Sequence, residues 1–449
     1  MLPEVKALHQ TESLVRIPPS QDVPITHRVR RLLDTDPMRR LSSISQLGMV
    51  ALVYPGATHS RFEHSLGVYH HALQVLARFT GDQVFDSMVS SRMAEAFLVA
   101  SLVHDLGHWP FCHPIEDMQL TGIEAHETRV REWFQSSDLA DCLEHDWDCD
   151  LDDVVAILHP GLQPERNQDD GNRFLVSCLS GPVDIDKLDY LHRDSLHAGV
   201  PYGQNFDRGR LIKSLCIHPK TGELAIGEKG KTAAEMMVFA RYVMFSEVYW
   251  HHAVRSATAM LQRSVFLLQN RVDLPISLRL IDAEWISMLK RAAEGSVAEP
   301  LVDGLFGSRR MLYKRAAEFN VLEGSDIHQA FARRPYWWLV ACSEKLAEQV
   351  AKRTGTAIHA ADLLIDAPPS KLEVDIDIDV VHRDGEVRSL RDVSPVASAL
   401  ADNQFDNHVK RVRLFIREDL LGELRTKLTV SQWAEEILHA SQSLENELV

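Results

Sequence analysis

Eight of the chain's 22 histidines fall between His59 and His126, at positions 59, 64, 70, 71, 104, 108, 113 and 126. Taken one at a time, each is an ordinary core or surface histidine. Crowding with acids is what singles them out, because imidazole and carboxylate together suit borderline transition metals. His104-Asp105 closes an apolar run and is followed by Gly107, which lets the backbone turn and approach closely. His64 follows Arg61-Phe62-Glu63, and a fourth ligand has to come from elsewhere. The densest acidic stretch is Asp184-Ile-Asp186-Lys187-Leu-Asp189-Tyr190. Read by itself, that stretch fits a solvated helix face with i,i+3 ion pairs better than a ligand set.

These residues need rigid elements to hold them. Over His64–Phe79 the spacing puts His64, Val68, His71, Ala72, Val75 and Phe79 on one helical face. Ser91–Val103 predicts a strongly apolar helix running straight into His104-Asp105-Leu-Gly-His108. Val23-Pro-Ile-Thr26 predicts a short strand ahead of a helical Arg28–Asp34, and Gly161–Asn172 an exposed loop. Phe174–Ala198 and Thr232–Gln269 predict long helices, the second apolar on most sides. After Asp366 the texture changes. Ala367-Pro-Pro-Ser370 is a linker signal, while Leu372–Val381 and His408–Arg417 alternate as strands do, and Leu428–Ser443 is helical. The chain is mainly α: a large helical domain over residues 1–360, then a small α+β lobe over 361–449.

With 45 % apolar and 25 % charged residues in 449, the composition excludes disordered, collagen-like and coiled-coil chains. The formal net charge of −16 argues against nucleic acid as the main ligand, since a duplex binder carries a basic face. Six cysteines without a CxxC pair predict reduced, buried thiols. The absence of a run of about 18 apolar residues predicts a cytoplasmic protein with no membrane partner.

Five ordered blocks carry a resemblance. They are Gln46-Leu47-Gly48; Pro55-Gly-Ala57-x-His59-x-Arg61-Phe-Glu-His64-Ser-x-Gly67-Val; His104-Asp-Leu-Gly-His108-x-Pro-Phe111-x-His113-x-x-Glu116; Asp184-Ile-Asp-Lys-x-Asp-Tyr190-x-x-Arg-Asp194; and Arg241 followed by Tyr249-x-His251. The set His64, His104-Asp105 and Asp186 resembles the H…HD…D signature of the HD-domain metal-dependent phosphohydrolases. The flanking residues resemble the deoxynucleoside triphosphate triphosphohydrolase branch, the bacterial dGTPases and their SAM-and-HD-domain relatives, strongly over residues 20–260.

The resemblance implies an HD-domain helical bundle with its core over 37–260 and a smaller C-terminal α+β lobe. It implies one divalent metal ion per site, held by His64, His104, Asp105 and Asp186, without distinguishing manganese, magnesium, iron, zinc, nickel or cobalt. His108, Glu116 and His126 would form the catalytic group beside the metal, with His113 close to the scissile phosphate. Arg61, Lys187 and Arg241 would contact phosphate oxygens. Gln46, Leu47, Tyr190, Asp194 and Tyr249 would surround the sugar, Gln46 and Asp194 reading the 3′-hydroxyl. It also implies a homo-oligomer, dimer or tetramer, and admits a nucleotide effector.

The reaction expected on this basis splits a deoxynucleoside triphosphate (dNTP) into deoxynucleoside and tripolyphosphate. A metal with open positions acidifies water and offsets phosphoryl charge, and cationic side chains pre-position the triphosphate. The leaving alkoxide needs an acid, either His126 paired with Glu116 or His113; the residues alone do not choose. Two other readings compete. One is a different HD-type nucleotidase or phosphodiesterase, separated by the products formed from dGTP. The other is a non-catalytic nucleotide sensor or single-strand binder, against which the intact ligand set and the acidic balance both argue.

Overall fold

The computed structural model describes residues 2–448 apart from 11, 12, 20, 136, 137, 167, 168, 370–377 and 402–408, and it is 62 % helical. Three helices that position the candidate residues begin at side-chain caps. Ser60 accepts from the Glu63 amide at the start of Arg61–Phe79, and Ser90 from the Met93 amide at the start of Ser91–Val103. Asp184 accepts from the Lys187 amide and starts Ile185–Ala198, which ends at Gly199 with φ +70°. Arg61–Phe79 packs between Ser91–Val103 and Ile185–Ala198.

Two apolar cores result. The first gathers Val29, Leu73, Phe97, Phe174 and Leu188 around that helix trio. The second surrounds His252–Leu268 and includes Trp285, Trp338, Phe415 and Trp433. Leu106 belongs to the first core while Trp109, Phe111, Cys112 and Ile115 belong to the second. The His104–Glu116 segment therefore crosses the seam between them.

Two of the expected long helices are each broken. Phe174–Ala198 consists of Asp170–Ser180 and Ile185–Ala198, parted at Gly181-Pro182, where proline supplies no amide and Asp184 caps the next helix. Thr232–Gln269 consists of Lys231–Met244, a π turn over Phe245–Tyr249, and His252–Leu268, which His251 caps by accepting from the Ala253 amide. The expected loop Gly161–Asn172 is already helical from Asp170, capped by Asp169.

The strands are short. β1 (Leu14–Ile17) and β2 (Gln21–Pro24) form a hairpin. β3 (Leu215–Ile217) and β4 (Leu224–Gly227) pair antiparallel. β5 (Lys314–Phe319), β6 (Leu363–Asp366) and β9 (Val412–Ile416) make a second sheet in the order β5-β9-β6. β7 (Asp379–Val381) pairs with β8 (Val387–Ser389) and runs parallel to β4, with Ile226 opposite Val380. The β3-β4 sheet is thus completed by residues that lie more than 150 positions further along the chain. Of the expected strand Leu372–Val381, residues 372–377 lie outside the described residues, as does Ser370 of the linker and His408 of the last strand. The mainly-α fold with a smaller C-terminal α+β region agrees with the sequence reading. Among the described residues no helix is long and apolar enough to cross a membrane.

Candidate active site

At the seam lies a cavity of about 810 Å³ whose wall includes His64, His104, Asp105, Asp186, His108, His113, Glu116 and His126. The four expected metal ligands meet there. His64 Nε2 lies 3.2 Å from His104 Nε2 and 2.9 Å from Asp186 Oδ1. His104 Nε2 is 3.5 Å from Asp105 Oδ1 and 3.9 Å from Asp186 Oδ1. Both imidazoles engage an acceptor through Nδ1: His64 donates to Asp189 at 2.8 Å and His104 to the Ser101 carbonyl at 2.9 Å. Those bonds leave the two Nε2 atoms facing each other beside two carboxylates, an arrangement that suits a divalent cation once the His64 proton is displaced. Burial alone would depress His64, but Asp186 and Asp189 outweigh it and raise its pKa to about 10, so a cation entering there would have to displace a proton.

Burial resists ionisation of Asp105 as well, yet His108, Arg61 and the neighbouring imidazoles hold its carboxyl well below the usual range. Arg61 Nη1 donates to Asp105 Oδ2 at 2.9 Å, which fixes the other oxygen, Oδ1, toward His104 and His108.

Two glycines permit this packing. A Cβ on Gly67 would fall 2.0 Å from Asp189 Oδ1 and 2.4 Å from Arg193 Nη2. A Cβ on Gly107 would fall 2.0 Å from the His126 carbonyl oxygen, so the turn after His104-Asp105 works chiefly by admitting His126. His126 then meets Glu116 twice, its amide and its Nδ1 both donating to Oε1 at 2.8 Å. Glu116 is held well below the usual carboxylate range, against desolvation, by His113 and His126. The rings of His108 and His126 lie 3.7 Å apart, centre to centre, while His113 stands at the mouth, its side chain 57 % exposed. Burial lowers both His108 and His126, with Arg61 adding to the effect on His108.

The expected substrate residues Gln46, Leu47, Arg61, Tyr190, Asp194, Arg241 and Tyr249 all line the same cavity. Asp194 accepts from Tyr249 Oη at 2.6 Å and from His59 Nε2 at 2.9 Å, while the buried Gln46 Oε1 has no hydrogen-bond partner among the described residues. Lys187 is the exception. Its ammonium donates to Asp184 Oδ2 and to the Gly181 carbonyl, and it does not line the cavity. Residues that sequence reasoning left without a role include Asp189, which orients His64, and His59, which orients Asp194. Both stand inside the blocks already singled out, and only their contacts reveal what they do.

A protein family described as "HD associated region" matches residues 206–439, just over half of the chain. The chain belongs to this HD-associated family. An uncharacterised Methanocaldococcus jannaschii protein is 27 % identical to the HD-associated chain over 90 % of it and 79 % of the archaeal protein. Human deoxynucleoside triphosphate triphosphohydrolase SAMHD1 is 28 % identical over 49 % of this chain, which spans only 39 % of the human protein. A hypothetical protein from Aquifex aeolicus shares the fold of the HD-associated chain at a TM-score of 0.69 and 24 % identity, covering 93 % of this chain and 99 % of its own.

Proposed function

We propose that this protein is a metal-dependent phosphohydrolase that splits dNTPs into deoxynucleoside and tripolyphosphate. The observation that carries the proposal is the meeting, on one cavity wall, of the HD ligand set, the His126–Glu116 pair and the Gln46/Asp194/Tyr249 group. The similarity to SAMHD1 supports the substrate class. His64, His104, Asp105 and Asp186 would hold the ion, of which manganese and magnesium are the first to test. Bound there, a divalent ion supplies an acidified water and neutralises phosphoryl charge.

The side chains do the rest. Arg61 and Arg241 face the triphosphate and offset charge on its equatorial oxygens. Asp194, held by His59 and Tyr249, and Gln46 Oε1 accept from the sugar hydroxyl. A ribose 2′-hydroxyl would press on Leu47. His126 is the acid on the 5′-oxygen side: its Nδ1–H donates a hydrogen bond to the Glu116 carboxylate, which stabilises the imidazolium, and the Nε2 proton passes to the leaving alkoxide. Hydrolysis in ¹⁸O-water tests the reading. Label in tripolyphosphate and none in the deoxynucleoside is expected; orthophosphate and dNDP as first products would overturn it.

A further inference from the structure

Directly beside the HD ligand set stands a second group of donors. One ligand atom each from His108, Cys112, His113 and His126 all lie within 4.8 Å of one another. Cys112 is 2 % exposed yet belongs to the cavity wall together with the three histidines. Each imidazole has a carboxylate behind its Nδ1. His108 faces Asp105 Oδ1 at 3.1 Å, His126 faces Glu116 Oε1 at 2.8 Å and His113 faces Glu116 Oε2 at 3.5 Å. With Nδ1 donating to the carboxylate, Nε2 of each ring is left as the acceptor, as in metal-bound histidines, and His126 Nε2 also lies 3.8 Å from Glu127 Oε1.

From this geometry we infer that His108, Cys112, His113 and His126 form a binding site for a thiophilic divalent cation of the zinc class, and that its occupancy switches off the acid–base group. Zinc bonds of about 2.3 Å to sulfur and 2.0–2.1 Å to nitrogen place tetrahedral donors ~3.3–3.6 Å apart, so closing the site needs side-chain shifts of about 1 Å. His113, at the mouth, gives the ion its way in. Binding replaces the Cys112 S–H bond by a sulfur–metal bond and releases one proton to water. Hard oxygen-seeking ions gain nothing from sulfur, so the site selects zinc, cadmium or cobalt over magnesium. Inhibition rests on the reading of His126 as the acid, because the ion occupies the nitrogen that would carry the proton. Binding does not.

Co²⁺ and Cd²⁺ titration of the full chain tests the site by thiolate-to-metal charge-transfer absorption. The HD ligands contain no sulfur, and among the described residues no other cysteine joins a group of three such donors. A band saturating at one ion per chain is expected, and it should vanish in Cys112→Ser and equally in Cys112→Ala, which adds no buried hydroxyl. A band of unchanged strength in either variant, or no band in the parent, overturns the site. In dNTP turnover, Cys112→Ser should keep the uninhibited rate and need at least tenfold more Cd²⁺ for half-inhibition. Equal sensitivity in parent and variant overturns the switch. If dNTPs are not hydrolysed at all, the reaction assignment fails while the charge-transfer result still decides the site.

Discussion

The Asp189 carboxylate accepts the Nδ1 proton of His64 at 2.8 Å while the Arg193 guanidinium grips both of its oxygens, also at 2.8 Å. One buried acid thus fixes the tautomer of a metal ligand and neutralises a buried cation. Arg193 in turn reaches Glu63 and the Pro18 carbonyl, tying the His64 helix to the N-terminal hairpin. Asp189→Asn should therefore weaken metal binding by about 10–100-fold. It should also lower the melting temperature, since Arg193 loses its main counter-charge. Calorimetric manganese titration alongside thermal melting checks both, and full affinity in the variant would show that His64 needs no such partner.

The two close-approach glycines separate metal binding from proton transfer. Gly67→Ala forces Asp189 and Arg193 away from Arg61–Phe79 and should cost metal and stability together, ~1–3 kcal/mol in unfolding free energy. Gly107→Ala pushes on the His126 backbone and should cut turnover more than metal content. Metal analysis and kcat for the pair provide the comparison. Identical profiles would contradict it.

His126→Ala should slow hydrolysis by roughly 10²–10⁴ with bound metal retained, and Glu116→Gln should act in the same direction. His113→Ala should slow it much less, because His113 sits at the opening. Single-turnover rates rank the three. A larger loss from His113→Ala would transfer the acid's role to that residue.

Lys187→Met removes the partner of the fully buried Asp184 rather than a phosphate contact. It should lower stability by about 3–5 kcal/mol while leaving KM close to that of the parent. Urea unfolding and steady-state kinetics decide. A KM rise of tenfold or more with unchanged stability would return Lys187 to the substrate.

Glu318 on β5, which is not part of the cavity wall, supplies a pH test. Against the pull of burial, Arg413, Arg411 and Arg315 bring its pKa down to about 2. Because the folded value is depressed, the stability it contributes is present above the unfolded value of 4.5 and lost as pH falls toward 2. At roughly 1.4 kcal/mol per unit this is on the order of 3–4 kcal/mol. Glu318→Gln should melt well below the parent at pH 7, with the gap closing between pH 4.5 and 2. A gap independent of pH would mean that charge is not what the side chain provides.

That the expected ligands would converge could be anticipated without coordinates, because imidazole and carboxylate cluster in short blocks whose residue types have few other uses. Asp184, Asp186 and Asp189 could not be sorted that way. They lie within six positions, and only the helix start assigns one to the cap, one to the cavity and one to His64. Lys187 was misplaced for a related reason: neighbours on a helix point about 100° apart, so adjacency to Asp186 turns it toward Asp184 instead. The breaks at Gly181 and Trp250 were hidden within continuous helical texture. β5, with Lys-Arg-Ala-Ala-Glu-Phe, lacks apolar alternation, and its pairing to β9 includes Glu318 opposite Arg413.

The parallel pairing of β7 with β4 also sets an order on synthesis. The candidate metal, acid–base and substrate residues have all left the ribosome once Tyr249 emerges, yet β4 still lacks a neighbour on one side. That neighbour arrives more than 130 residues later. At about 5–20 residues per second the nascent chain spends several seconds or more with its site residues synthesised and one sheet edge bare. During that interval the edge is exposed to strands of other chains.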